Sequence, residues 1–570
     1  MVKDGTGIEE LPSPIGHLNG LKRLNLSDCK SLRSLPTKIG MESLETLILS
    51  GCSNLKRFPE IDGKMKCLLE LYLDGTGIEE LTSSIGHLSN LVLLKLKDCS
   101  NIVSLPSSIN GLKCLKTLNL FGCSKVETLP ENLQYVEFLE ELDLSKTAIR
   151  KRSSFIFQFK SLKVLSFNGC KGPPSKLRLN LASPFNASQR GSSDSMALML
   201  PPLLGLSSLT KLNLSYCNLW EGPIPSDICC LSSLEELDLS GNNFIYLPAT
   251  LNRLSKLGFL RLSDCRELKS LPELLSIEQV IIDGCVSLEV VADPTTVRNS
   301  TNWGSITGFN CYKLAEKNNA LTILKKHLKV IANARPLFDI VIPGSKIPEW
   351  FPHQRDESSI KIPLPPNILN DSQWMGVAFC CIFVFRFIDD DVYKRDAITC
   401  KAVIHGRNIP KVDWSGFTLG GESRQPGVIK EFLWLRYYSC DKIFPFSLEE
   451  KCGKIENSLS TDWANQECNE IEFSIQSSLG VASIKVNKCD LDDIHQDIGG
   501  DEGSTGNDGV LVKRKGNVYE EAAGPSDEND SPEERPHPKR LEKILNFITR
   551  KKHSGSLIWI DQVSLTATKD

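Results

Sequence analysis

Apolar residues recur at fixed positions along the first half of the chain. The phrase LxxLxLxx occurs eleven times before residue 290, and most copies begin 23 or 24 residues apart. The apolar positions alternate at the end of each phrase, so they point to one side of a short strand. A strand this short cannot bury its own apolar face, so the copies must stack and share one core. The copies begin at Leu21, Leu44, Leu68, Leu91, Leu115, Leu139, Leu162, Leu209, Leu234, Leu257 and Ile277.

The eighth position after the start of each copy carries a small side chain that can donate a hydrogen bond. An asparagine there would bond the neighbouring backbone through its amide, and cysteine or threonine is a smaller substitute with a weaker donor. The phrase and its period are those of leucine-rich repeats. The sequence therefore predicts an α/β leucine-rich-repeat solenoid with a curved parallel sheet over residues 1–292, built to bind rather than to catalyse. The eighth-position residues are Cys29, Cys52, Thr76, Cys99, Cys123, Thr147, Cys170, Cys217, Asn242, Cys265 and Cys285.

The pattern changes at two places. Residues 171–206 interrupt the period with a segment rich in Pro, Ser, Gly and Asn, which is either a surface loop or one degenerate repeat. After a linker at 293–305, residues 306–490 carry a helical stretch, LTILKKHLKVI, and then short apolar runs between turn residues, which predict an all-β sandwich. The runs are Phe338–Gly344, Ser358–Leu364, Trp374–Phe385, Glu431–Tyr438, Asn469–Ile475 and Ala482–Val486.

The two ends of the chain differ from its middle. Residues 491–570 are acidic and polar with little to bury, so we expect a disordered tail. The basic cluster near its end, in PHPKR and ITRKK, is either a nuclear-import signal or part of a solvated tail. At the other end, residues 4–18 nearly duplicate residues 74–88 but lack the strand that precedes the later copy. We therefore expect further protein upstream of this region in a full-length homologue.

Composition narrows the classes of function. The formal net charge is −4, which gives no indication of bulk nucleic-acid or anionic-membrane binding. The 20 cysteines include no CxxC pair, so we predict no metal site, and buried free thiols suit a reducing compartment. We find no GxxxxGK[ST], HExxH, GxSxG or GxGxxG motif and predict neither a cofactor nor an enzyme. No signal peptide opens the chain, and its longest apolar run, Met375–Phe385, is too short to span a bilayer.

Four segments together resemble one known family. They are the LxxLxLSGC repeats, SYCNLWEGPIPSDICCLSSLEELDLSGNNFIYLPATL, GFNCYKLAEKN and IPGSKIPEWF. In this order they are similar to the plant TIR-type nucleotide-binding leucine-rich-repeat disease resistance proteins, over residues 1 to about 490. The resemblance implies that the β-sandwich is jelly-roll-like and begins near Ile342, although Lys346 and Glu357 depart from the residues usual in that family.

The resemblance also implies partners and a compartment. In this family the repeats and the post-repeat domain recognise a pathogen effector protein and restrain a nucleotide-binding domain of the same receptor, in the cytoplasm or the nucleus. The family's NAD-cleaving TIR domain and its ATPase module have no matching motif in this sequence. We therefore expect a non-catalytic recognition module of an intracellular immune receptor, with no nucleic-acid or membrane partner.

The residues between the last two leucines of each repeat are predicted to face the concave side of the sheet. They vary in charge and size, as recognition surfaces do, and a merely solvated face is the alternative for each of them. For the candidates after the repeats, the alternative is a place in the core or a turn of the β domain. The candidate protein-binding residues are Tyr72, Lys95, Asp143, Tyr216, Asp238, Phe259 and Arg261 on the concave face, and Lys346, Trp350, Phe351 and His353 after the repeats.

Two other functions are compatible with a repeat solenoid. An extracellular receptor ectodomain that binds a peptide or glycan is one, because EGPIPSDI resembles the convex turn of such proteins. The missing secretory signal and the unpaired eighth-position cysteines oppose it, and a free-thiol count near 20 would exclude it. The other is a purely structural adaptor, whose binding would not depend on concave residues such as Tyr72 and Arg261.

Overall fold

The computed structural model describes the repeats and the core of the post-repeat domain. The predicted helix at 321–331, most of the 171–206 insert and the tail beyond residue 495 lie outside the described residues. The described residues are 8–63, 65–149, 154–170, 203, 205–219, 226–272, 277–291, 304–316, 337–348, 351, 359–363, 374–386, 397–405, 412–418, 429–439, 470–477 and 485–495.

Every copy of the repeat phrase forms one three-residue strand. The strands of the repeats are β1 (Arg23–Asn25), β2 (Lys38–Ile39), β3 (Thr46–Ile48), β4 (Glu60–Ile61), β5 (Glu70–Tyr72), β6 (Leu93–Lys95), β7 (Thr117–Asn119), β8 (Glu141–Asp143), β9 (Val164–Ser166), β10 (Lys211–Asn213), β11 (Glu236–Asp238), β12 (Phe259–Arg261), β13 (Ser270–Leu271), β14 (Gln279–Ile281) and β15 (Val290–Val291). The three-residue strands pair in parallel and in one register, with a core leucine or valine at the centre of each. This confirms the predicted solenoid.

On the opposite side the chain returns through short 3₁₀ helices or two-residue strands. Four of the helices follow directly on a proline, whose fixed φ and missing amide donor suit the start of a helix. Elsewhere, β2 pairs with β4 and β13 pairs with β15. The 3₁₀ helices are Ser13–His17, Ser83–His87, Ser107–Gly111, Glu131–Tyr135, Ser154–Gln158, Ser226–Cys230 and Ala249–Arg253.

The repeats on either side of the 171–206 insert are direct neighbours in the sheet. β9 pairs directly with β10, with Leu165 opposite Leu212, so the two flanking repeats are neighbours. This register excludes the alternative of a degenerate repeat that contributes its own strand to the sheet.

The eighth-position side chains bond the neighbouring repeat. The thiol of Cys123 donates to the carbonyl of Leu96 at 3.1 Å, and burial raises the pKa of Cys123 to about 12, so the thiol keeps its proton. Asn242 replaces the thiol by an amide that bonds five backbone groups. Six further thiols donate in the same way over 2.9–3.4 Å, those of Cys52, Cys99, Cys170, Cys217, Cys265 and Cys285.

The residue before each eighth position turns the chain with a positive φ. At several of these turns a side chain on one repeat lies over a glycine on the next. A Cβ at Gly122 would lie 2.2 Å from Oδ1 of Asp98, and one at Gly241 would lie 2.2 Å from the ring of Tyr216. The close approach favours glycine at both positions, whereas the positive φ alone does not require it, because Asp98 and Tyr216 adopt it in the same turn of their own repeats.

The parallel sheet continues beyond the last copy recognised in the sequence. β16 (Gly304–Thr307) pairs with β14, and the thiol of Cys311 donates to the carbonyl of Ile282 at 3.0 Å. Residues 304–311, GSITGFNC, therefore form a further repeat in which Ile306 and Gly308 stand at the last two leucine positions. The predicted linker at 293–305 and the predicted β domain at 306–490 divide this repeat, because its leucines are replaced.

The post-repeat domain is a sandwich of two sheets, as predicted. Its strands are β17 (Leu337–Pro343), β18 (Ser359–Pro363), β19 (Trp374–Arg386), β20 (Ala397–His405), β21 (Val412–Thr418), β22 (Ile429–Ser439), β23 (Glu470–Ser477) and β24 (Lys485–His495). The first sheet extends the repeat sheet in the order β16-β17-β22-β19-β24, and the second has the order β18-β23-β20-β21. The sheets pack through aromatic rings, with Phe473 stacked on Phe379 at a centroid distance of 5.5 Å.

Two strands and one boundary of this domain differ from the predictions. β20 and β21 mix polar with apolar residues (AITCKAVIH and VDWSGFT), so no continuous apolar run marks them. The run predicted at Ala482–Val486 overlaps β24, which extends to His495 and so beyond residue 491, where the acidic composition placed the start of the tail. β24 is the last strand of its sheet, and an edge strand pairs on one side only, so composition is a weak guide to its end.

The first sheet of the sandwich is covered on both faces. Ile340 and Leu435 continue the row of core leucines and belong to the same apolar core as the repeats. On the other face, Asp339 and Arg436 continue the row that begins on the exposed side of the repeat sheet, and the second sheet covers them. The second sheet therefore lies on the same side of the continuous sheet as the exposed face of the repeats, next to its C-terminal end.

Candidate binding surface

The face of the repeat sheet opposite the core, here called the concave face, carries two rows of side chains. They come from the first and third residues of each three-residue strand, and neighbouring strands lie about 4.8 Å apart. Six of the seven predicted concave residues belong to these rows and are half-buried. They are Tyr72, Lys95, Asp143, Asp238, Phe259 and Arg261.

Tyr72 and Lys95 lie side by side on adjacent strands. The Lys95 ammonium is 5.5 Å from the centroid of the Tyr72 ring, within the range of a cation–π contact. The Tyr72 hydroxyl donates to Oε2 of Glu70 at 3.4 Å. Burial, followed by the charge of Glu70, raises the pKa of Tyr72 above its ordinary value, so the hydroxyl stays protonated near neutral pH.

A second aromatic side chain, Phe121, lies beside this pair and was not among the predicted residues. The ammonium groups of Lys97 and Lys146 lie 5.3 and 4.8 Å from its ring centroid. All three residues follow the last leucine of their repeats by one or two positions, outside the interval between the leucines. Only the alignment of the repeats in one register could have indicated that they meet.

The two predicted aspartates have a structural role of their own. Oδ1 of Asp143 accepts the amide of Ser145 at 2.9 Å, and Oδ1 of Asp238 accepts the amide of Ser240 at 3.0 Å. Each carboxylate thereby closes an Asx-turn at the end of its strand. The same bond recurs at Asn25, Asn119 and Asn213, so part of the variation in this row serves the turn rather than a ligand.

Phe259 and Arg261 lie together toward the C-terminal end of the concave face. The guanidinium carbon of Arg261 is 5.2 Å from the centroid of the Phe259 ring, and its Nη1 is 3.8 Å from Oδ2 of Asp238. These contacts hold a flat cation against an aromatic ring, at the end of the concave face that adjoins the sandwich.

Asp283 joins this end of the face to the post-repeat domain. Its Oδ1 accepts the amide of Phe309 at 2.9 Å, and the Phe309 ring packs edge-on against Phe432 of β22 at 5.0 Å. Burial raises the pKa of Asp283 to about 7, although the Phe309 amide and the Arg261 charge oppose this shift. Asp283 was not among the predicted site residues.

Replacing Asp283 by asparagine is expected to stabilise the protein at pH 8 and to have little effect near pH 4. Because the folded-state pKa lies above the unfolded value, the folded state binds more protons between about pH 4 and 7, so the free energy of unfolding falls as the pH rises through that window. Asparagine keeps the acceptor for Phe309 but has no charge to bury. The gain should be at most about 4 kcal/mol at pH 8, measured by native-state hydrogen exchange of both proteins from pH 4 to 8 in peptides spanning β14 and β16. A difference that does not change with pH would contradict this account.

Tyr216 lies at the rim of the concave face rather than on it. It occupies the positive-φ turn before Cys217, its ring covers Gly241, and its side chain is 36% exposed. Its hydroxyl donates to Oδ2 of Asp264 at 3.4 Å, so the ring bridges three successive repeats.

The candidates after the repeats are placed differently from one another. Phe351 is 2% exposed and packs in the core, which agrees with the alternative considered for it. Lys346 is exposed. Trp350 and His353 lie outside the described residues, so their proposed contact stays a prediction.

The fold and its surface define a leucine-rich-repeat protein with a post-repeat β-sandwich. A family model described as "Disease resistance protein RPS4B-like, leucine-rich repeats" matches residues 40–134, and the Leucine Rich Repeat model matches residues 208–231 and 233–254. The C-JID domain model matches residues 342–497, which comprise the sandwich.

Three curated relatives share this arrangement. The chain is 35% identical to TMV resistance protein N of Nicotiana glutinosa over 66% of this chain and 32% of that protein. It is 36% identical to Disease resistance-like protein DSC1 of Arabidopsis thaliana over 77% and 30%, and 28% identical to Disease resistance protein RPS4B of the same plant over 85% and 35%. The chain carries the leucine-rich-repeat and post-repeat region of the plant TIR-type nucleotide-binding leucine-rich-repeat disease resistance proteins, which confirms the resemblance.

The chain spans about a third of the length of these relatives. The matches favour an immune receptor over an extracellular peptide or glycan receptor. In the part of the chain that the structure describes, no helix has the length and apolarity needed to cross a membrane.

Proposed function

We propose that the chain is the non-catalytic recognition module of a plant immune receptor and binds a pathogen effector protein across its concave face. The observation that carries this proposal is the pair of aromatic–cation clusters on that face, Tyr72 with Lys95 and Phe259 with Arg261. Aromatic and arginine side chains contribute most to hot spots of protein–protein interfaces. Half-buried rings held by cations also lose little conformational freedom on binding.

The second sheet of the sandwich extends this surface. It lies on the same side of the continuous sheet as the concave face, next to the C-terminal end of the repeats that carries Phe259 and Arg261. A partner seated at that end could contact both the repeats and the sandwich. This arrangement supports recognition by both domains together.

In a full-length receptor, binding would act on a nucleotide-binding domain in the same chain. An effector that binds more tightly to the active arrangement than to the inactive one shifts the population toward the active state. We place this activity in the cytoplasm or the nucleus, because thiols such as Cys123, buried and protonated, suit a reducing compartment.

The test is the binding of candidate effectors by concave-face variants. We expect Tyr72→Ala and Arg261→Ala each to weaken binding of a recognised effector by about 30-fold, the usual effect at a hot spot. The matched control is Tyr135→Ala, because Tyr135 is 54% exposed on the helix Glu131–Tyr135, outside the sheet. Binding by surface plasmon resonance that is indifferent to Tyr72 and Arg261, or equally sensitive to Tyr135, would favour a structural adaptor.

A further inference from the structure

Five residues form a basic and aromatic patch that runs from the concave face at Tyr72 and Lys95 to its rim at Lys97, Phe121 and Lys146. They are Tyr72, Lys95, Lys97, Phe121 and Lys146, here called the lysine–aromatic patch. We propose that this patch docks an acidic segment of the protein partner, with the lysines on its carboxylates and Phe121 against an apolar side chain between them. The inference rests on the proposed function and adds the chemistry of the partner at this site.

The patch draws its residues from four neighbouring repeats. Tyr72 is on β5, Lys95 and Lys97 belong to the β6 repeat, Phe121 to the β7 repeat and Lys146 to the β8 repeat. Four strands about 4.8 Å apart span about 15 Å. That length matches about five residues of an extended peptide.

Lys97 and Lys146 are exposed, and each ammonium lies against the Phe121 ring. Asp74, which accepts the backbone amide of Lys97, offsets part of the charge of Lys95 and Lys97, whereas Lys146 has no such carboxylate among its contacts with the described residues. Among the residues that the structure describes, no carboxylate oxygen lies within 4.0 Å of either ammonium. Elsewhere along the sheet lysines pair with glutamates, in Lys22–Glu45 at 3.1 Å, Lys116–Glu140 at 2.9 Å and Lys211–Glu236 at 2.7 Å.

The surroundings of the patch favour a short acidic peptide segment over a nucleic acid. Glu70, Asp74, Asp98 and Glu141 border the lysines along and beside the strands. A continuous phosphate backbone would be repelled by these carboxylates on either side of the patch, whereas a short segment can end within it. The formal net charge of −4 gives no broader basic surface to extend the contact.

The test uses a fluorescein-labelled peptide, EEFEE, and the whole chain in a fluorescence anisotropy titration at about 0.15 M ionic strength, where the Debye length is about 8 Å. The variant Lys97→Glu/Lys146→Glu should bind the peptide at least about 10-fold more weakly, because it replaces two attractions by two repulsions. Lys97→Gln/Lys146→Gln should show a smaller loss, about 3-fold, because it removes the attraction alone. Wild-type affinity should fall as salt is raised.

The matched control is Lys113→Glu/Lys125→Glu, which makes the same change of charge in the repeat that holds Phe121. Both lysines are exposed but lie outside the strands and the patch. We expect the control to bind within about 2-fold of wild type, since distant exposed charges are screened. Circular dichroism and thermal unfolding of every variant separate a loss of binding from a loss of folding.

Three outcomes would overturn the proposal. In the first, the wild type binds EEFEE no more tightly than the neutral peptide QQFQQ. In the second, the control loses as much affinity as the variant. In the third, a ten-nucleotide oligothymidylate binds more tightly than the peptide, which would assign the patch to single-stranded nucleic acid.

The same measurements separate this proposal from the proposed function. If an effector binds through Tyr72 and Arg261 while EEFEE does not bind, the acidic-segment proposal fails and effector recognition stands. If EEFEE binds as expected while no effector depends on Tyr72 or Arg261, the patch has the proposed chemistry and effector recognition fails.

Discussion

Arg436→Met is expected to destabilise the post-repeat sandwich by about 3–5 kcal/mol, the usual cost of breaking a buried ion pair. Arg436 is 1% exposed and meets Asp339 through two parallel bonds, Nε to Oδ1 at 2.6 Å and Nη2 to Oδ2 at 2.7 Å. Methionine fills similar volume but leaves the Asp339 carboxylate buried. The indole N–H of Trp434, 2.8 Å from Oδ1, remains as a donor but carries no charge.

The electrostatic balance at this pair explains the size of the effect. Burial by itself lowers the pKa of Arg436, but the Asp339 carboxylate outweighs burial and holds that pKa above its ordinary value. The guanidinium also lies 4.6 Å from the centroid of the Trp434 ring and 5.7 Å from that of Tyr438. Methionine therefore loses the charge pairing and the cation–π contacts at once.

Native-state hydrogen exchange is the appropriate measurement, because a chain of repeats and a sandwich need not unfold in one step. We expect protection to fall in peptides from β17 and β22 and to be unchanged in peptides from β7. The surface pair Lys361–Glu472, 3.4 Å apart on β18 and β23, gives the control, and Glu472→Gln should cost at most about 1 kcal/mol. The double variant Asp339→Leu/Arg436→Met should recover most of the loss, because no unpaired charge remains. A double variant as unstable as Arg436→Met would contradict this explanation.

The sequence predicts the repeats well because every signal there is local. One strand and the donor that bonds it to the preceding repeat lie within nine residues, so Leu115, Leu118, Leu120 and Cys123 can be recognised from one copy of the phrase alone. The prediction fails where other residues replace the leucines of the phrase although the strand and its hydrogen bond are kept. In GSITGFNC the thiol of Cys311 keeps its place, but the leucines do not, and the further repeat was missed.

The sandwich and the binding surface depend on residues that are distant along the chain. Asp339 and Arg436 are 97 positions apart, and no pattern in the sequence pairs them. Phe121 contacts lysines from two other repeats. The variety of residue types along the concave row also has two explanations, because Asp143 and Asp238 close turns at the ends of their strands and need not contact a partner. Diversity of residue type alone therefore does not separate recognition from structure.

Asn242→Ala is expected to lower the free energy of unfolding of the repeats around β10 and β11 by about 3–4 kcal/mol. Asn242 is 0% exposed. Its Nδ2 donates to the carbonyls of Leu214 at 2.9 Å and Leu239 at 2.7 Å, and its Oδ1 accepts the amides of Cys217 at 3.2 Å and Leu219 at 3.0 Å. Alanine would leave these buried backbone groups without the side-chain partner, and each such group costs about 1–3 kcal/mol before the structure relaxes.

The chain supplies its own controls for this effect. Cys123→Ala removes one thiol-to-carbonyl bond in an equivalent repeat, so it should lower the free energy of unfolding by only about 1 kcal/mol. The loss for Asn242→Cys should lie between those of the two alanine variants, because cysteine provides the donor that the other repeats use. Hydrogen exchange measures the loss of stability in each case. The peptides to follow span β10 and β11 for the Asn242 variants, and β6 and β7 for Cys123→Ala. If Asn242→Ala costs no more than Cys123→Ala, the amide contributes nothing beyond a single bond. If the order is as expected, the amide of Asn242 fixes two adjacent repeats to each other more firmly than a thiol does, next to Asp238 and Tyr216 at the edge of the concave face.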